Sequence, residues 1–113
     1  MTAPADLEPR LADDPVLIRF RAALDALYGE RLERVVLFGS RARGDHREDS
    51  DYDIAVFIDS PGPLTEELDR LAEVTTELLD ETGAVINPLP LRAGSYRLQT
   101  GFMQELRSDG RDL

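Results

Sequence analysis

The sequence predicts an α/β domain built on a small sheet. Three observations support this fold class: amphipathic helical segments alternate with short apolar runs, glycine or proline separates them, and their order is helix, strand, strand, helix, strand, helix. The 113 residues suffice for one domain with one modest core. We expect residues 1–12, rich in proline and acidic residues, to form a loose N-terminal arm and residues 13–113 to form the domain.

The first half of the chain predicts a helix, a strand and a helical turn. The helix should begin at Asp13-Asp14-Pro15, because an acidic cap followed by proline favours a first turn. Its apolar face recurs at helical spacing and comprises Leu17, Phe20, Leu24, Leu27 and Tyr28. Residues 34–38 form an apolar run bounded by glycine, which is typical of a buried strand. A brief helical turn over residues 40–43 should end at Gly44.

The middle of the chain predicts a second strand followed by a long helix. A polar loop over residues 45–50 should lead into a strand over residues 52–58, and the segment 59–63, DSPGP, should break the chain. Residues 64–82 have the periodicity of an amphipathic helix that ends at Gly83. The apolar face of this helix comprises Leu68, Leu71, Ala72, Thr75, Leu78 and Leu79. Any exposed part of that face would mark a surface for a partner.

The last third of the chain predicts an edge strand and a short helix. Residues 84–91 are apolar, but Pro88 and Pro90 cannot donate to a sheet ladder, so this strand should be short or lie at an edge. A final helix, which should end near Gly110, is indicated by Phe102, Met103 and Leu106.

The composition excludes several classes of function. All 13 basic residues are arginine, and the net charge is −10. This surplus of acid argues against broad binding to nucleic acid and permits a basic protein partner; alternatively, it only keeps the protein soluble. There is no cysteine, so disulfides and thiolate metal sites are excluded, which suits a reducing cytoplasm. The N-terminus has no signal-peptide pattern, and the apolar runs are too short to span a bilayer, so we expect no membrane partner and a cytoplasmic location.

Two aspartates at the start of the second strand are the strongest candidates for chemistry. Successive side chains of a strand alternate between faces, so Asp51 and Asp53 should project on the same side, roughly 6–7 Å apart at their Cα atoms. Two such carboxylates repel each other, and a bound dication would remove that repulsion. Oxygen ligands with a substrate phosphate suit Mg²⁺. The alternative is that both aspartates are merely solvated at the mouth of the strand.

The segment just before them has features of a phosphate-binding corner. Gly39 follows a strand and lets backbone approach a ligand closely, and Ser40 offers a hydroxyl and an N–H at the start of a helical turn. Arg41 and Arg43 could neutralise phosphate charge. Alternatively, Ser40 is a simple helix cap and Arg43 braces the loop through Asp45 or Asp49. His46, the only histidine, lies among charged loop residues and is expected to be solvated.

These residues resemble a known signature. Gly39-Ser40, ten residues and then Asp51-x-Asp53 match the motif of the DNA-polymerase-β-like nucleotidyltransferase superfamily. The longer stretch GSRARGDHREDSDYDI is similar to the minimal nucleotidyltransferase (MNT) group, of the MntA-like antitoxin type. The positions that agree beyond the core motif are Ala42, Arg43, Gly44 and Ser50. The resemblance covers about residues 15–91.

The resemblance implies a fold and a reaction. The fold would be the nucleotidyltransferase fold, a small mixed sheet flanked by helices, of the α/β or α+β class. The reaction would be Mg²⁺-dependent transfer of a nucleotidyl group, with Asp51 and Asp53 as catalytic metal ligands. By the same resemblance, the nucleotide would be held by Gly39, Ser40, Arg43 and Ser50. Small MNT proteins often pair as antitoxins with a HEPN-type toxin, and some resemble enzymes that transfer AMP from ATP to a tyrosine of that partner.

One position departs from the family pattern. The family usually has a third carboxylate on the next strand, which completes a second metal site and helps to deprotonate the attacking hydroxyl. The matching strand here contains no acid, and Asn87 is the nearest polar candidate. A one-metal enzyme, a slow enzyme and a degenerate binder therefore all remain open.

The sequence thus leads to three hypotheses about function. The first is an Mg²⁺-dependent nucleotidyltransferase that passes AMP from ATP to a HEPN-type toxin and so acts as its antitoxin. The second is a catalytically degenerate antitoxin that neutralises its partner stoichiometrically. The third, less favoured, is a small-molecule nucleotidyltransferase that modifies antibiotics, for which a homo- or hetero-oligomer would have to complete the acceptor cleft.

Overall fold

A computed structural model describes residues 11–113, so most of the predicted N-terminal arm, residues 1–10, lies outside the described residues. The helices within this range are α1 (Pro15–Tyr28), α2 (Ser40–Arg43), α3 (Leu64–Thr82) and α4 (Gly101–Asp109). The strands are β1 (Leu32–Phe38), β2 (Tyr52–Ile58), β3 (Ile86–Arg92) and β4 (Arg111–Asp112). Short 3₁₀ turns occupy Gly29–Arg31 and Ser95–Arg97. The predicted α/β architecture is therefore confirmed.

The four strands form one mixed sheet in the order β3-β2-β1-β4. β1 pairs antiparallel with both β2 and β4, whereas β2 and β3 run parallel and are connected through α3. β3 lies at one edge, as its prolines predicted. Tyr52 N donates to Val85 O, and Ala93 N donates to Ile58 O. In this register the odd-numbered residues of β3 direct their backbone N–H and C=O groups toward β2. Pro88 and Pro90 therefore stand where an N–H would point out of the sheet, which blocks addition of another strand.

Each face of the sheet packs against different helices. One face buries Ile54, Val56 and Ile58 of β2 against α1 and α3. The opposite face buries Ala55 and Phe57 against Met103 and Leu106 of α4. Because side chains alternate along a strand, Asp53 belongs to the α4 face, one residue beyond the part that α4 covers.

Most predicted helix boundaries agree with the structure, whereas the predicted strand boundaries agree less well. Asp14 caps α1 by accepting a hydrogen bond from Val16 N at 2.9 Å, as the acidic cap predicted. β1 begins at Leu32, two residues before the predicted start, because Leu32 pairs with Ile58 across an irregularity in the register. β3 spans Ile86–Arg92 rather than residues 84–91, and the two-residue β4 was not predicted. β4 forms only through its pairing with β1, which local sequence does not encode.

Four side chains assigned to apolar helix faces are exposed, which corrects the prediction for both long helices. Leu27 lies about 60° around the helix from Leu24, at the margin of the α1 stripe, and is exposed. In α3 the buried stripe runs through Glu67, Leu71 and Leu78. The predicted members that lie outside it and are exposed are Leu68, Ala72 and Leu79.

Glu67 is the one fully buried charged side chain among residues 11–113, with 1% of its surface exposed. Its carboxylate accepts hydrogen bonds from the Tyr28 hydroxyl at 2.9 Å, from Gly62 N at 2.7 Å and from Arg70 Nη1 at 3.1 Å. Arg31 Nη2 lies 3.7 Å away. Burial alone would raise the pKa of Glu67, but these hydrogen bonds and the charge of Arg70 outweigh it, so the pKa is lowered. Through these contacts Glu67 links α3 to α1 and to the segment that connects β2 with α3.

The lowered pKa of Glu67 predicts a specific loss of stability in acid. A carboxyl with a depressed folded-state pKa stabilises the fold above its unfolded pKa of about 4.3, and this contribution disappears as the pH falls through the folded-state pKa. Glu67→Gln should lower the free energy of unfolding by about 2 kcal/mol at pH 7, because the pairing of Arg70 with a carboxylate is lost. Urea unfolding should show that the difference in free energy of unfolding between the wild type and Glu67→Gln becomes smaller below about pH 4. The exposed neighbour variant Glu66→Gln should leave the free energy nearly unchanged; an equal loss in both variants would contradict the role of Glu67.

Candidate active site

Four of the predicted site residues lie at one corner of the sheet, where β1 ends and β2 begins: Gly39, Ser40, Asp51 and Asp53. β1 ends at Phe38, Gly39 follows, and α2 begins at Ser40. Asp53 lies opposite Phe38 in the antiparallel pairing and opposite Asn87 in the parallel pairing. The sheet register therefore places the glycine corner on one side of Asp53 and the third strand on the other.

Gly39 is in direct contact with the carboxylate of Asp53. Its φ of 77° and ψ of −157° belong to a region that side-chain-bearing residues rarely adopt. A Cβ at this position would lie 2.5 Å from Asp53 Oδ2, closer than any real contact. The backbone conformation therefore favours glycine, and a side chain at this position would displace the Asp53 carboxylate.

Asp51 and Asp53 project to the same side, as the alternation along β2 predicted, and the amide of Asn87 joins them. Asn87 Nδ2 donates to Asp51 Oδ2 at 3.0 Å and to Asp53 Oδ1 at 3.4 Å. Asp51 is exposed and Asp53 is half-buried. The partly positive amide group thus lies between two carboxylates and offsets part of their mutual repulsion, as a small dication bound to the same oxygens would.

The donor set fits one divalent cation better than two. Within residues 11–113, no cluster of three or more His, Cys, Asp or Glu side chains is placed to hold a metal. The position that a third acid would take beside Asp53 is occupied by Asn87, through the register of β2 and β3. Two carboxylates with solvent in front of them suit Mg²⁺, which keeps water and substrate phosphate as further ligands.

Ser40 opens the helical turn α2, and its backbone supports the corner. Its carbonyl accepts hydrogen bonds from Gly44 N at 2.9 Å and from Asp45 N at 3.1 Å, while Gly39 O accepts from Ala42 N and Arg43 N. The turn ends at Gly44 in the left-handed conformation, as predicted. These hydrogen bonds involve the carbonyls of Gly39 and Ser40. The side chain of Ser40 takes no part in them and is half-buried.

Arg41, which the sequence analysis considered only as a possible phosphate contact, is hydrogen-bonded to the loop between α2 and β2. Its guanidinium donates to Ser50 O and to Glu48 O, both at 2.9 Å, and stacks 3.9 Å from the centre of the Tyr52 ring. The Tyr52 hydroxyl in turn donates to Asp14 Oδ2 at 2.8 Å. Burial, followed by this hydrogen bond, raises the pKa of Tyr52 to about 12. The residue between the two aspartates is therefore anchored to the cap of α1.

The remaining predicted residues lie around the loop. Arg43 pairs with Asp45, with Nε 3.3 Å from Oδ2, which is the loop-bracing arrangement foreseen as an alternative to substrate contact. Ser50 Oγ accepts a hydrogen bond from Arg47 N at 2.9 Å and so closes the end of the loop. His46 is exposed. A nucleotide contact by Arg43 or Ser50 stays a prediction.

The corner lies apart from a cleft between α1 and the C-terminal segment. That cleft has a volume of about 790 Å³, with Leu17, Arg21 and Leu113 in its lining. Neither Asp51 nor Asp53 borders that cleft, and at the corner Asp51 is exposed whereas Asp53 is half-buried. None of the helices in residues 11–113 is both long and apolar enough to cross a lipid bilayer.

Known structures share this fold. A protein from Sulfolobus solfataricus, provisionally named a nucleotidyltransferase in its crystal structure, aligns with a TM-score of 0.61 and 17% identity, covering 99% of this chain and 86% of the other. A crystal structure of a mutant MntA–HepT toxin–antitoxin aligns with a TM-score of 0.55 and 19% identity, covering 81% of this chain and 68% of that one. At these identities the likeness concerns the fold, and it confirms the predicted nucleotidyltransferase fold.

Sequence comparison goes further than the fold. Residues 17–99 match the nucleotidyltransferase domain family. A Methanocaldococcus jannaschii protein, provisionally named a protein adenylyltransferase, is 35% identical over 103 residues, which cover 89% of this chain and 97% of the relative. The match spans the glycine-serine corner, both aspartates and the strand that contains Asn87. The chain belongs to the nucleotidyltransferase domain family.

Proposed function

We propose that this protein is an Mg²⁺-dependent nucleotidyltransferase of the cytoplasm that transfers AMP from ATP to a protein partner, and that it is the antitoxin of a HEPN-type toxin. The observation that carries the proposal is the convergence of Gly39, Asp51 and Asp53 on one corner, where a single amide reaches both carboxylates. A corner of this kind combines a place for phosphate with a place for a cation.

Each residue has a distinct task in this proposal. Asp51 and Asp53 would hold Mg²⁺, which offsets the negative charge of the triphosphate when it is bound. Gly39 lets the backbone approach the phosphates, and Ser40 orients them through its hydroxyl and N–H. Arg43 and Ser50 would add contacts once Arg43 leaves Asp45, an exchange that is easy because both members of that pair are exposed.

The reaction would be a single displacement at the α-phosphorus of ATP. The oxygen of an acceptor hydroxyl forms a bond to that phosphorus, the bond from phosphorus to the bridging oxygen breaks, and pyrophosphate leaves. The proton of the hydroxyl passes to solvent, because Asn87 stands where a base would be needed and an amide does not accept it. The site thus positions and neutralises the reactants without a dedicated base.

The relatives support both the reaction and the partner. The relative from Methanocaldococcus jannaschii has a name that specifies transfer of an adenylyl group to protein. The similar crystal structure is of a toxin–antitoxin, in a mutant with two aspartates one residue apart changed to glutamate. That spacing matches Asp51 and Asp53, which supports their assignment as the functional pair.

A second candidate function is favoured by one observation. Asn87 supplies the two aspartates with an internal hydrogen-bond partner and takes the place of a third acid. A site of this kind could bind nucleotide without turnover, and the protein would then neutralise its partner by forming a stable complex.

Intact-mass measurement of the partner separates the two candidates. The proposal predicts that a neighbouring gene encodes the HEPN-type toxin. That toxin, incubated with this protein, ATP and Mg²⁺, should gain the mass of one AMP, and the gain should be absent with Asp51→Asn. An unmodified toxin in a stable complex, equally stable with Asp51→Asn, would favour the binder and contradict the enzyme.

Asn87→Asp should increase the rate of AMP transfer about tenfold or more. The new carboxylate would lie beside Asp53, where it can accept the proton of the attacking hydroxyl and bind a second cation. Three neighbouring acids should also lower the melting temperature of the metal-free protein. Single-turnover rates and thermal unfolding with and without Mg²⁺ measure both effects. Asn87→Ala, which removes the amide without adding an acid, should not raise the rate; a slower Asn87→Asp enzyme would contradict the role given to Asn87.

A further inference from the structure

Helix α3 has a second apolar stripe that the other described residues, within 11–113, leave uncovered. Its buried stripe contains Leu71 and Leu78. The second stripe, here called the α3 stripe, consists of Leu64, Leu68, Ala72 and Leu79. The three leucines are 61%, 42% and 45% exposed, and Ala72 is exposed as well.

Helical geometry places the members of the α3 stripe on one side of the helix, with the half-buried Thr75 between Ala72 and Leu79. Its members follow one another at intervals of four, four and seven residues, so they fall within a sector of about 80° of the helix. From Leu64 to Leu79 the stripe is about 22 Å long. Isolated exposed leucines are ordinary on protein surfaces, whereas an apolar row of this length is typical of an interaction surface.

Acidic residues lie beyond the outer margin of the α3 stripe. Moving around the helix away from the sheet, Thr65 and Thr76 come next, then Asp69 and Asp80, and then Glu66, Glu73 and Glu77, all of them exposed. Arg70 is the only basic residue of α3, and it is hydrogen-bonded to Glu67. The surface therefore presents an apolar row beside a strongly negative flank.

We infer that the α3 stripe docks a protein partner whose contact surface is apolar at its centre and basic at its rim. Apolar contact would supply most of the affinity, and the acidic flank would steer and orient the basic partner. The inference rests on the proposed function for the existence of a protein partner, and it adds where on this chain the partner binds.

Charge excludes the other occupants. A second copy of this chain would bring two acidic flanks together, and a net charge of −10 adds to that repulsion. An anionic membrane surface and the phosphates of nucleic acid would be repelled for the same reason. The partner that complements this surface is a protein rich in lysine or arginine around an apolar patch.

The position of the α3 stripe separates docking from chemistry. α3 covers the face of the sheet that contains Ile54, whereas Asp53 lies on the opposite face. α3 connects β2 to the parallel β3, so its C-terminal end, with Leu79, returns toward the end of the sheet where Asn87 lies. A partner seated on the stripe can therefore reach the paired aspartates around the β3 edge without covering them.

Binding of the HEPN-type toxin to a double variant, Leu68→Ser with Leu79→Ser, tests the inference. Both side chains are exposed, so the fold should survive, and the dissociation constant from calorimetry should rise tenfold or more. In the transfer assay KM for the toxin should rise while kcat stays the same. The matched control, Ile18→Ser with Leu98→Ser, removes two leucine-sized side chains that are each 53% exposed and should leave binding unchanged.

A second pair of variants tests the acidic flank at constant size. Asp69→Asn with Asp80→Asn should weaken binding and reduce its dependence on salt, whereas Glu105→Gln with Asp109→Asn on α4, an equal change of charge, should not. If neither set of α3 changes affected toxin binding, the inference would be overturned. The same would follow if sedimentation showed that the protein associates with itself and that the leucine changes abolish this association. Toxin that binds through the stripe but gains no AMP would uphold the inference while refuting the proposed catalysis. No binding by the wild-type protein would refute both.

Discussion

Asp53→Asn should lower the rate of AMP transfer roughly a thousandfold while the protein stays folded. Asp53 contacts the Gly39 backbone and shares the Asn87 amide with Asp51, so it lies at the point where a cation and the phosphates would meet. Loss of a metal-binding carboxylate removes several kcal/mol of transition-state stabilisation, and each 1.36 kcal/mol is a factor of ten in rate. The melting temperature without metal should be unchanged or higher, because one of two repelling charges is gone.

Single-turnover transfer, with saturating ATP and the enzyme in excess over the toxin, measures this effect. Asp109→Asn, the same chemical change at an exposed position on α4, serves as the control and should retain the full rate. A folded Asp53→Asn protein that transfers AMP within tenfold of the wild-type rate would show that the paired aspartates do not carry the reaction.

Gly39→Ala should have the second-largest effect and should reduce both stability and nucleotide binding. The new Cβ would need a backbone conformation that alanine rarely adopts and would also meet Asp53 Oδ2 at 2.5 Å. Such backbone strain is worth about 1–3 kcal/mol, and displacement of the Asp53 carboxylate should lower the transfer rate by a further factor of about a hundred. Urea unfolding and single-turnover transfer measure the two effects separately.

Gly83→Ala is the matched control for this change. Gly83 has the same φ of 77°, but no atom lies within 4 Å of a Cβ built there. Its substitution should therefore lower stability without a comparable loss of transfer. If Gly39→Ala and Gly83→Ala behaved alike in both measurements, contact between Gly39 and Asp53 would have no functional importance.

The core of the candidate site could be predicted because it depends on local rules. Alternation along a strand places Asp51 and Asp53 on one side, and a glycine after an apolar strand predicts a tight turn. The contact between Gly39 and Asp53 and the bridge from Asn87 depend on how β2 pairs with β1 and β3. Strand pairing is a property of the whole fold, so the sequence could name Asn87 as a candidate without placing it.

The positions of Arg41 and Glu67 were beyond local sequence reasoning. Nothing in the local sequence distinguishes Arg41 from Arg43. In the folded chain, however, Arg41 donates to the carbonyls of Glu48 and Ser50 and stacks on the ring of Tyr52. Glu67 looks like a surface acid of an amphipathic helix, yet it is buried because Tyr28, Gly62 and Arg70 converge on it from separate elements. Partners from distant parts of the chain decide both cases.

The predicted apolar face of α3 was too wide for a related reason. Helical periodicity identifies an apolar sector but does not say which part of that sector meets the sheet. Leu71 and Leu78 are buried against the core, whereas Leu68 and Leu79 are exposed. A broad apolar sector therefore contains both a core face and a candidate docking surface, and only the packed fold separates them.

Isothermal titration of the protein with a non-hydrolysable ATP analogue, in the presence and absence of Mg²⁺, addresses the central claim most directly. We expect one binding site per chain in the presence of Mg²⁺, and at least tenfold weaker binding when the metal is chelated or when Asp51 and Asp53 are both changed to asparagine. Absence of binding at millimolar analogue by a protein whose fold is intact, or equal binding with and without Mg²⁺, would contradict the account.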